Sequence, residues 1–433
     1  MGESARAHIN MTGFPATRTS TSVLLFFATS TATLNILDRS VLNIVAEPMR
    51  ISLGLTDTQL GLLSVCFALF YSIAGLPIAH YADRPSTDRR LVVAACVSVW
   101  SAMTVLSGLA STFVQLLFAR AFVAVGESGS GPALLTLLNE AVPERVRGKA
   151  FGIYGLGAPL GILLGLAVGG YLVELVGWRM TFVIVGAPGI LVAVAFKIFV
   201  RDPRRMGPMD RLAHRARFDE ALRVMLISKP LLLLTFAAAT SGLITIGLPS
   251  WTAIYLIRIL HLEPGHAGLI LGLILGLGGI AGTMVGGILA DRMERRGVGR
   301  SLLVPAAGLA LGIPAALVAF GSEDWRVFTF FYGIVAFGAF FFMGPLVSTL
   351  HSLSPASCRA TVTVILFMVM NLLGGGLGPF LIGAFSANLS TKHGPEGLRW
   401  VIMAASTAAL VPALLYIWTS WVIKRQVSPS PLL

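Results

Sequence analysis

Charge is scarce in this chain: Asp, Glu, Lys and Arg make up 12% of its 433 residues, about half the share of an ordinary soluble domain. Cysteine is scarcer still. Cys66, Cys96 and Cys358 are too scattered for a disulfide framework or a metal spacing, and they read as free thiols. Alternating segments of about ten residues are missing, which excludes a membrane β-barrel. No nucleophile stands near a positioned base, and no stretch could build a sizeable soluble domain, so neither an enzyme nor a cofactor or metal site is expected. What is present is apolar sequence. Hydrophobic residues reach 55%, in repeated runs of about twenty, each able to cross a hydrocarbon core about 30 Å thick as a helix. The expected fold is all-α and polytopic, with twelve transmembrane helices in two six-helix bundles.

The runs fall at 22–45, 58–80, 91–111, 112–138, 148–173 and 178–200, then 230–257, 266–290, 301–320, 326–350, 360–387 and 397–423. The first 21 residues carry no short apolar region ahead of a small-residue cleavage site, so the first span is expected to be retained. A net charge of +12 would raise the question of nucleic acid in a soluble protein. Here Lys and Arg lie in short loops between spans, and no nucleic-acid partner is expected. Of the 32 basic residues, 24 fall on the side shared by both termini, six on the other side, and Arg39 and Arg120 inside spans. By the positive-inside rule both ends are cytoplasmic, in a cell inner membrane. The chain thus divides into a tail (1–21), a first bundle (22–200), a linker with an amphipathic helix (201–229), a second bundle (230–423) and a tail (424–433). Leu212, Phe218, Leu222, Met225 and Leu226 are set among the linker's charges, which suits a helix on the membrane surface and contact with membrane lipids.

The two halves echo each other. Ala82-Asp83-Arg84 recurs as Ala290-Asp291-Arg292, 208 positions on, and each is followed by a basic loop. Pro143-Glu-Arg-Val-Arg147 recurs as Pro355-Ala-Ser-Cys-Arg359, 212 positions on, and Gly157-Ala-Pro159 answers Gly376-Leu-Gly378-Pro379. Three landmarks in the same order argue for a duplicated six-helix unit, as in transporters built from repeats. Asp83, Arg84, Asp291 and Arg292 read as latch or gating residues at inner helix ends, or as plain helix-end charges. Span five carries Gly157, Gly161, Gly165 and Gly169 on one face, a stripe for close helix packing, with Pro159 as a point of bending. Gly276-Leu-Gly-Gly-Ile-Ala-Gly282 imitates a dinucleotide fingerprint, but no strand precedes it, so it reads as packing.

Four charges lie inside spans of the first half: Asp38, Arg39, Arg120 and Glu127. A charge near the bilayer centre costs roughly 2.5–3.5 kcal/mol on insertion scales, and it persists where it meets a partner or a cavity. Spans one and four run in opposite directions, which sets Asp38 and Arg120 at similar depth. Glu127 follows Arg120 by seven residues on nearly the same face, about 10 Å deeper. Arg39 is turned by about 100° from Asp38 and is expected to face elsewhere. The readings left open are an ion-pair network joining two spans, proton exchange at Asp38 and Glu127, and a substrate headgroup held by Arg39 or Arg120.

The Gly-x-x-Ala-Asp-Arg loops, with Arg120 ahead of a glycine-rich run, resemble the major facilitator superfamily. Leu37-Asp38-Arg39-Ser-Val-Leu-Asn43, Gly54-Leu-Thr-Asp-Thr-Gln-Leu-Gly61, Phe67-Ala-Leu-Phe-Tyr71, Gly177-Trp178-Arg179 and the run from Trp251 to Arg258 resemble its Spinster-like branch. Pro85 departs from the usual form of the first loop. The resemblance implies alternating access, spans one and four lining a cavity, and an amphiphilic substrate of lysophospholipid or sphingoid type. The alternative is a small organic anion or drug. Proton coupling and a monomeric state are expected. The second half offers an aromatic wall with a few polar anchors, Thr240, Ser241, Thr245, Tyr255 and Asn371, and Asn43 is the polar residue facing them from span one.

Overall fold

The computed structural model describes residues 21–84, 86–200 and 218–427. Eleven helical stretches within them are long and apolar enough to cross a membrane. The longest, Glu144–Phe199, is 56 residues long and is turned at Gly177, whose φ of 76° suits a residue without a side chain. Counting its two legs separately gives twelve crossings. These are α1 Thr21–Leu53, α2 Asp57–Asp83, α3 Arg89–Leu109, α4 Phe113–Ala141, α5 144–176 and α6 178–199. The second set is α7 Lys229–Arg258, α8 Pro264–Glu294, α9 Arg300–Gly321, α10 Trp325–Leu353, α11 Arg359–His393 and α12 Glu396–Gln426. The shortest, α3, has 21 residues, about 31 Å at 1.5 Å per residue, enough for the hydrocarbon core. No strand occurs among the described residues.

Helix starts follow from local chemistry. Thr56 closes a reciprocal capping box with Gln59 at the head of α2. Asp88, Thr112 and Asp324 each cap the next helix by accepting a backbone N–H. The linker contains one described helix, Phe218–Ile227, whose Ala221 and Met225 are buried against the second half while Phe218, Leu222 and Leu226 stay exposed. Residues 201–217, with Leu212, lie outside the described part of the chain.

α1–α6 form one bundle and α7–α12 the other. Within the first, α5 lies along α1 so closely that a Cβ at Gly161 would stand 2.6 Å from the Thr33 carbonyl oxygen. The same face brings Gly157 to Ala32, Gly165 to Ser40 and Gly169 to Val41, so the glycine stripe runs along α1. Between the bundles, α5 meets α8, where Gly268 faces the Leu166 carbonyl, and α2 meets α11, where Gly61 faces Phe380. The fingerprint-like run of α8 packs in the same manner, with Gly276 against Leu163 and Pro159 and Gly279 against the Phe340 ring. Several helices of the second bundle are interrupted in mid-course. α7 breaks at Ile246, α10 tightens to a 3₁₀ turn at Phe340–Phe342, and α11 widens to a π-helical stretch at Asn371–Leu377.

Candidate functional site

The molecule has a linker end, carrying the Ala-Asp-Arg loops, and a distal end, carrying the α1–α2 and α7–α8 turns. About midway between them the first bundle holds Asp38, Arg39, Arg120 and Glu127 in two pairs. Asp38 of α1 accepts from Arg120 Nη1 of α4 at 3.0 Å through Oδ2, and from the Thr104 hydroxyl of α3 at 2.7 Å through Oδ1. Asp38, Thr104 and Arg120 are 2%, 0% and 1% exposed, so this cluster is sealed inside the bundle. Depth matching alone brings Asp38 to Arg120. Thr104 was not singled out in the sequence, because a hydroxyl in an apolar run gives no signal of its own.

The second pair corrects an expectation. Arg39 does not face away; its Nε donates to Glu127 Oε2 at 2.6 Å. The 100° step carries Arg39 from the α3 side of α1 toward α2 and α4. Side chains on a helix lean toward its N-terminus, which for α1 is the linker end, and Glu127 lies in that direction. The guanidinium is then flanked by Phe67 and Tyr71 of α2, each with its ring centroid 4.8 Å away. These rings supply cation–π support that survives loss of the carboxylate. The Arg39 side chain remains 29% exposed while that of Glu127 is 0% exposed. Glu127 Oε1 is buried and has no hydrogen-bond partner among the described residues.

Glu127 lines a cavity of about 220 Å³ with Thr31, Asn35, Tyr71, Ser130 and Tyr154, all from the first bundle. One water needs only about 10–15 Å³ of such space, so there is room for several waters or a small headgroup. The Thr31 hydroxyl is a second buried polar atom without a partner among the described residues. The site therefore has an acid with one free oxygen, a cation held by that acid and by two rings, and beside the acid a chamber that Thr31, Asn35, Ser130 and Tyr154 help to line.

The polar residues expected to face this wall from the second bundle are mostly turned inward. Tyr255 is fully buried, its hydroxyl donates to the Phe320 carbonyl at 2.8 Å, and its ring packs among Phe320, Phe328 and Tyr332. It belongs to the packing core and not to a cavity wall, because an aromatic residue on the apolar face of α7 gains more from burial than from solvent. Thr240 and Thr245 return their hydroxyls to carbonyls of their own helix, and Ser241 is buried. Asn371 opens the π-helical stretch, and its Nδ2 is buried without a partner among the described residues. Asn43 lines a narrow cavity of about 30 Å³ between the bundles, with Ser64, Ser250 and Trp251. The aromatic run of α10 is divided, with Phe330 exposed and Tyr332 buried.

Asp291 and Arg292 are exposed at the linker end, with no ion pair among the described residues. Arg84 is exposed too, 5.6 Å from the Tyr81 ring. The Asp83 side chain lies outside the described part. At the distal end the charges are tightly joined. Arg258, the last residue of α7, donates to Glu47 of α1 and to Asp57 of α2, across the boundary between the bundles. No spacing or motif in the sequence joins these residues. Each stands near a span end, where a charge normally meets water; the available signal was that two acids and two arginines, Arg50 and Arg258, share the distal end.

The sequence profile described as Major Facilitator Superfamily matches residues 28–379. A crystal structure of a bacterial homologue of the human lysosomal transporter Spinster, inward-facing and unoccupied, superposes with a TM-score of 0.85 at 30% identity, over 95% of this chain and 99% of that one. Among curated proteins, an MFS-type efflux pump of Mycolicibacterium smegmatis is 30% identical over 404 residues, 91% of either chain. Protein spinster homolog 1 of Xenopus tropicalis is 24% identical, over 97% of this chain and 84% of its own.

Proposed function

The chain belongs to the Major Facilitator Superfamily and is a multi-pass membrane transporter and not an enzyme, and on that premise we propose that it moves an amphiphile with an acidic headgroup by alternating access, coupled to protons. One observation carries this reading: Glu127 binds Arg39 through one carboxylate oxygen and presents the other, unpartnered, beside a polar cavity. A proton arriving at Oε1 neutralises the carboxylate and weakens its hold on Arg39. The guanidinium then remains between Phe67 and Tyr71, positively charged and free to take a phosphate or carboxylate, which its planar fork matches. Substrate and proton are thereby linked through a single arginine. Asp38 and Arg120, sealed with Thr104, hold α1, α3 and α4 in the register this exchange needs.

The substrate class rests on the likeness to Spinster proteins and on Arg39, a cation held between two rings beside a first-bundle cavity lined by both polar and apolar side chains. A lysophospholipid, or a sphingoid-type lipid that carries a phosphate, supplies the anionic headgroup that a guanidinium takes. A second reading, a small organic anion taken directly by Arg39, is favoured by the exposure that guanidinium keeps. Thermal stabilisation by lysophospholipids, sphingoid bases and sugar acids, measured on wild type and Arg39→Gln, separates the two. Stabilisation by lysophospholipid that vanishes in Arg39→Gln supports the amphiphile, and stabilisation by sugar acids alone supports the second reading. The positive-inside bias supports a cytoplasmic linker end, and with that orientation the cavity would load or release on the cytoplasmic side.

A further inference from the structure

The linker end of the second bundle carries cations and indoles that the coupling site does not use. Of the seven tryptophans, Trp418 and Trp421 of α12 are the two at that end. They are 47% and 48% exposed, and a spacing of three residues sets them on one side of the helix, with Cβ atoms about 5–6 Å apart. Each lies beside a cation. The Arg425 guanidinium stands 3.6 Å from the centre of the Trp421 ring, and Nζ of Lys229, the first residue of α7, stands 6.0 Å from that of Trp418. Lys229, Lys424 and Arg425 are exposed, and none of them has an ion pair among the described residues.

Their depth follows from two neighbours. The helix Phe218–Ile227 ends two residues before Lys229 and packs on α7 and α11. It buries Ala221 and Met225 and leaves Phe218, Leu222 and Leu226 exposed along one stripe, which suits a helix lying on the membrane surface. Lys229 therefore stands where the headgroups begin. Exposed tryptophans gather at the same level, and Arg425 lies one turn beyond Trp421, on the side away from the hydrocarbon. A cation held over a ring is attracted to its face, and a guanidinium so placed keeps its N–H edge free for a phosphate. The matching end of the first bundle lacks this arrangement: the last turn of α6 has Lys197 as its cation and no indole.

We propose that Lys229 and Arg425, each seated by an indole, bind the phosphate of an anionic phospholipid in the leaflet at the linker end. A zwitterionic lipid brings an ammonium of its own and gains little from these cations. An anionic lipid brings a net negative charge that nothing else among the described residues supplies to them. The proposal needs only that the chain crosses a bilayer, and its failure would leave the coupling reading untouched.

Native mass spectrometry of the full-length protein tests it, with the protein released from micelles that hold phosphatidylglycerol and phosphatidylcholine in equal amounts. The ratio of the two lipids retained is the readout. Wild type is expected to favour phosphatidylglycerol by about tenfold. Lys229→Gln combined with Arg425→Gln should abolish that preference. Arg295→Gln combined with Arg296→Gln removes the same charge from exposed positions at the same end and should leave the preference unchanged. Lys229→Arg combined with Arg425→Lys keeps both charges and should keep most of it. Added inorganic phosphate should not displace the lipid, whose chains lie along the apolar surface of α12. Equal retention of the two lipids by wild type, a preference that survives in Lys229→Gln with Arg425→Gln, an equal loss in Arg295→Gln with Arg296→Gln, or displacement by inorganic phosphate would overturn the assignment.

Discussion

Asp38 and Arg39 are neighbours in sequence with opposite tasks. Asp38 closes on Arg120 and Thr104 inside the first bundle, and Arg39 reaches Glu127 at the edge of a cavity. Removing one member of a sealed pair strands the other, at a cost of about 3–5 kcal/mol. Asp38→Asn is accordingly expected to lower the melting temperature sharply. Asp38→Asn combined with Arg120→Gln should cost less than the sum of the single changes, with a coupling of about 0.5–3 kcal/mol. Strict additivity in that cycle would mean the two side chains do not interact. Arg39→Lys is expected to weaken substrate affinity while leaving the melting temperature close to wild type, since a lysine keeps the charge but loses the planar stack between Phe67 and Tyr71. Binding isotherms with a lysophospholipid check this, and unchanged affinity would remove Arg39 from the headgroup site. The Asp38–Arg120 pair was legible in the sequence because depth follows from helix rise and direction. The Arg39–Glu127 pair was not, because rotation about the helix axis ignores how far, and toward which end, a long side chain leans.

At the scale of the helix, apolar run length and capping residues account for most of what is seen, and the expected spans coincide with the helices to within several residues at their ends. Interruptions in mid-helix were not legible. Ile246, Phe340–Phe342 and Asn371–Leu377 depart from α-helix where glycines and neighbouring backbones meet, as Gly374 does with Gly242, and that contact depends on tertiary packing. Glycines therefore differ in consequence. A Cβ at Gly161 would press on the Thr33 carbonyl of α1, whereas a Cβ at Gly278 would meet nothing within 4 Å. Gly161→Ala is expected to lower the melting temperature by forcing α5 away from α1. Gly278→Ala should be neutral or slightly stabilising, since alanine favours the helix by about 0.8–1 kcal/mol. Equal melting temperatures for the two variants would contradict the packing role of the stripe.

For the whole molecule, two sets of six spans were readable from the apolar runs, but the surface on which the bundles meet was not. The distal cluster of Glu47, Asp57 and Arg258 exists only once α1 and α2 stand beside α7. Its state and that of the linker-end residues bear on one equilibrium from opposite ends. Here the distal end is joined by ion pairs, and Asp291 at the linker end has none among the described residues. Neutralising Asp291 is expected to favour the linker-open state by about 1–3 kcal/mol, and Arg258→Gln the distal-open state. Cysteine labelling at inner cavity positions should rise in Asp291→Asn, fall in Arg258→Gln and return toward wild type in the double variant. Labelling that is unaffected by Asp291→Asn would leave that carboxylate as an ordinary helix-end charge. The central claim is that Glu127 exchanges a proton for its hold on Arg39. Its most direct test is uptake of a fluorescent lysophospholipid into proteoliposomes, with and without an imposed pH gradient, by wild type and Glu127→Gln at matched protein density. The account predicts that the gradient accelerates wild type several-fold and leaves Glu127→Gln, folded and still able to bind the lipid, at its gradient-free rate; equal acceleration of both proteins, or none in wild type, would contradict it.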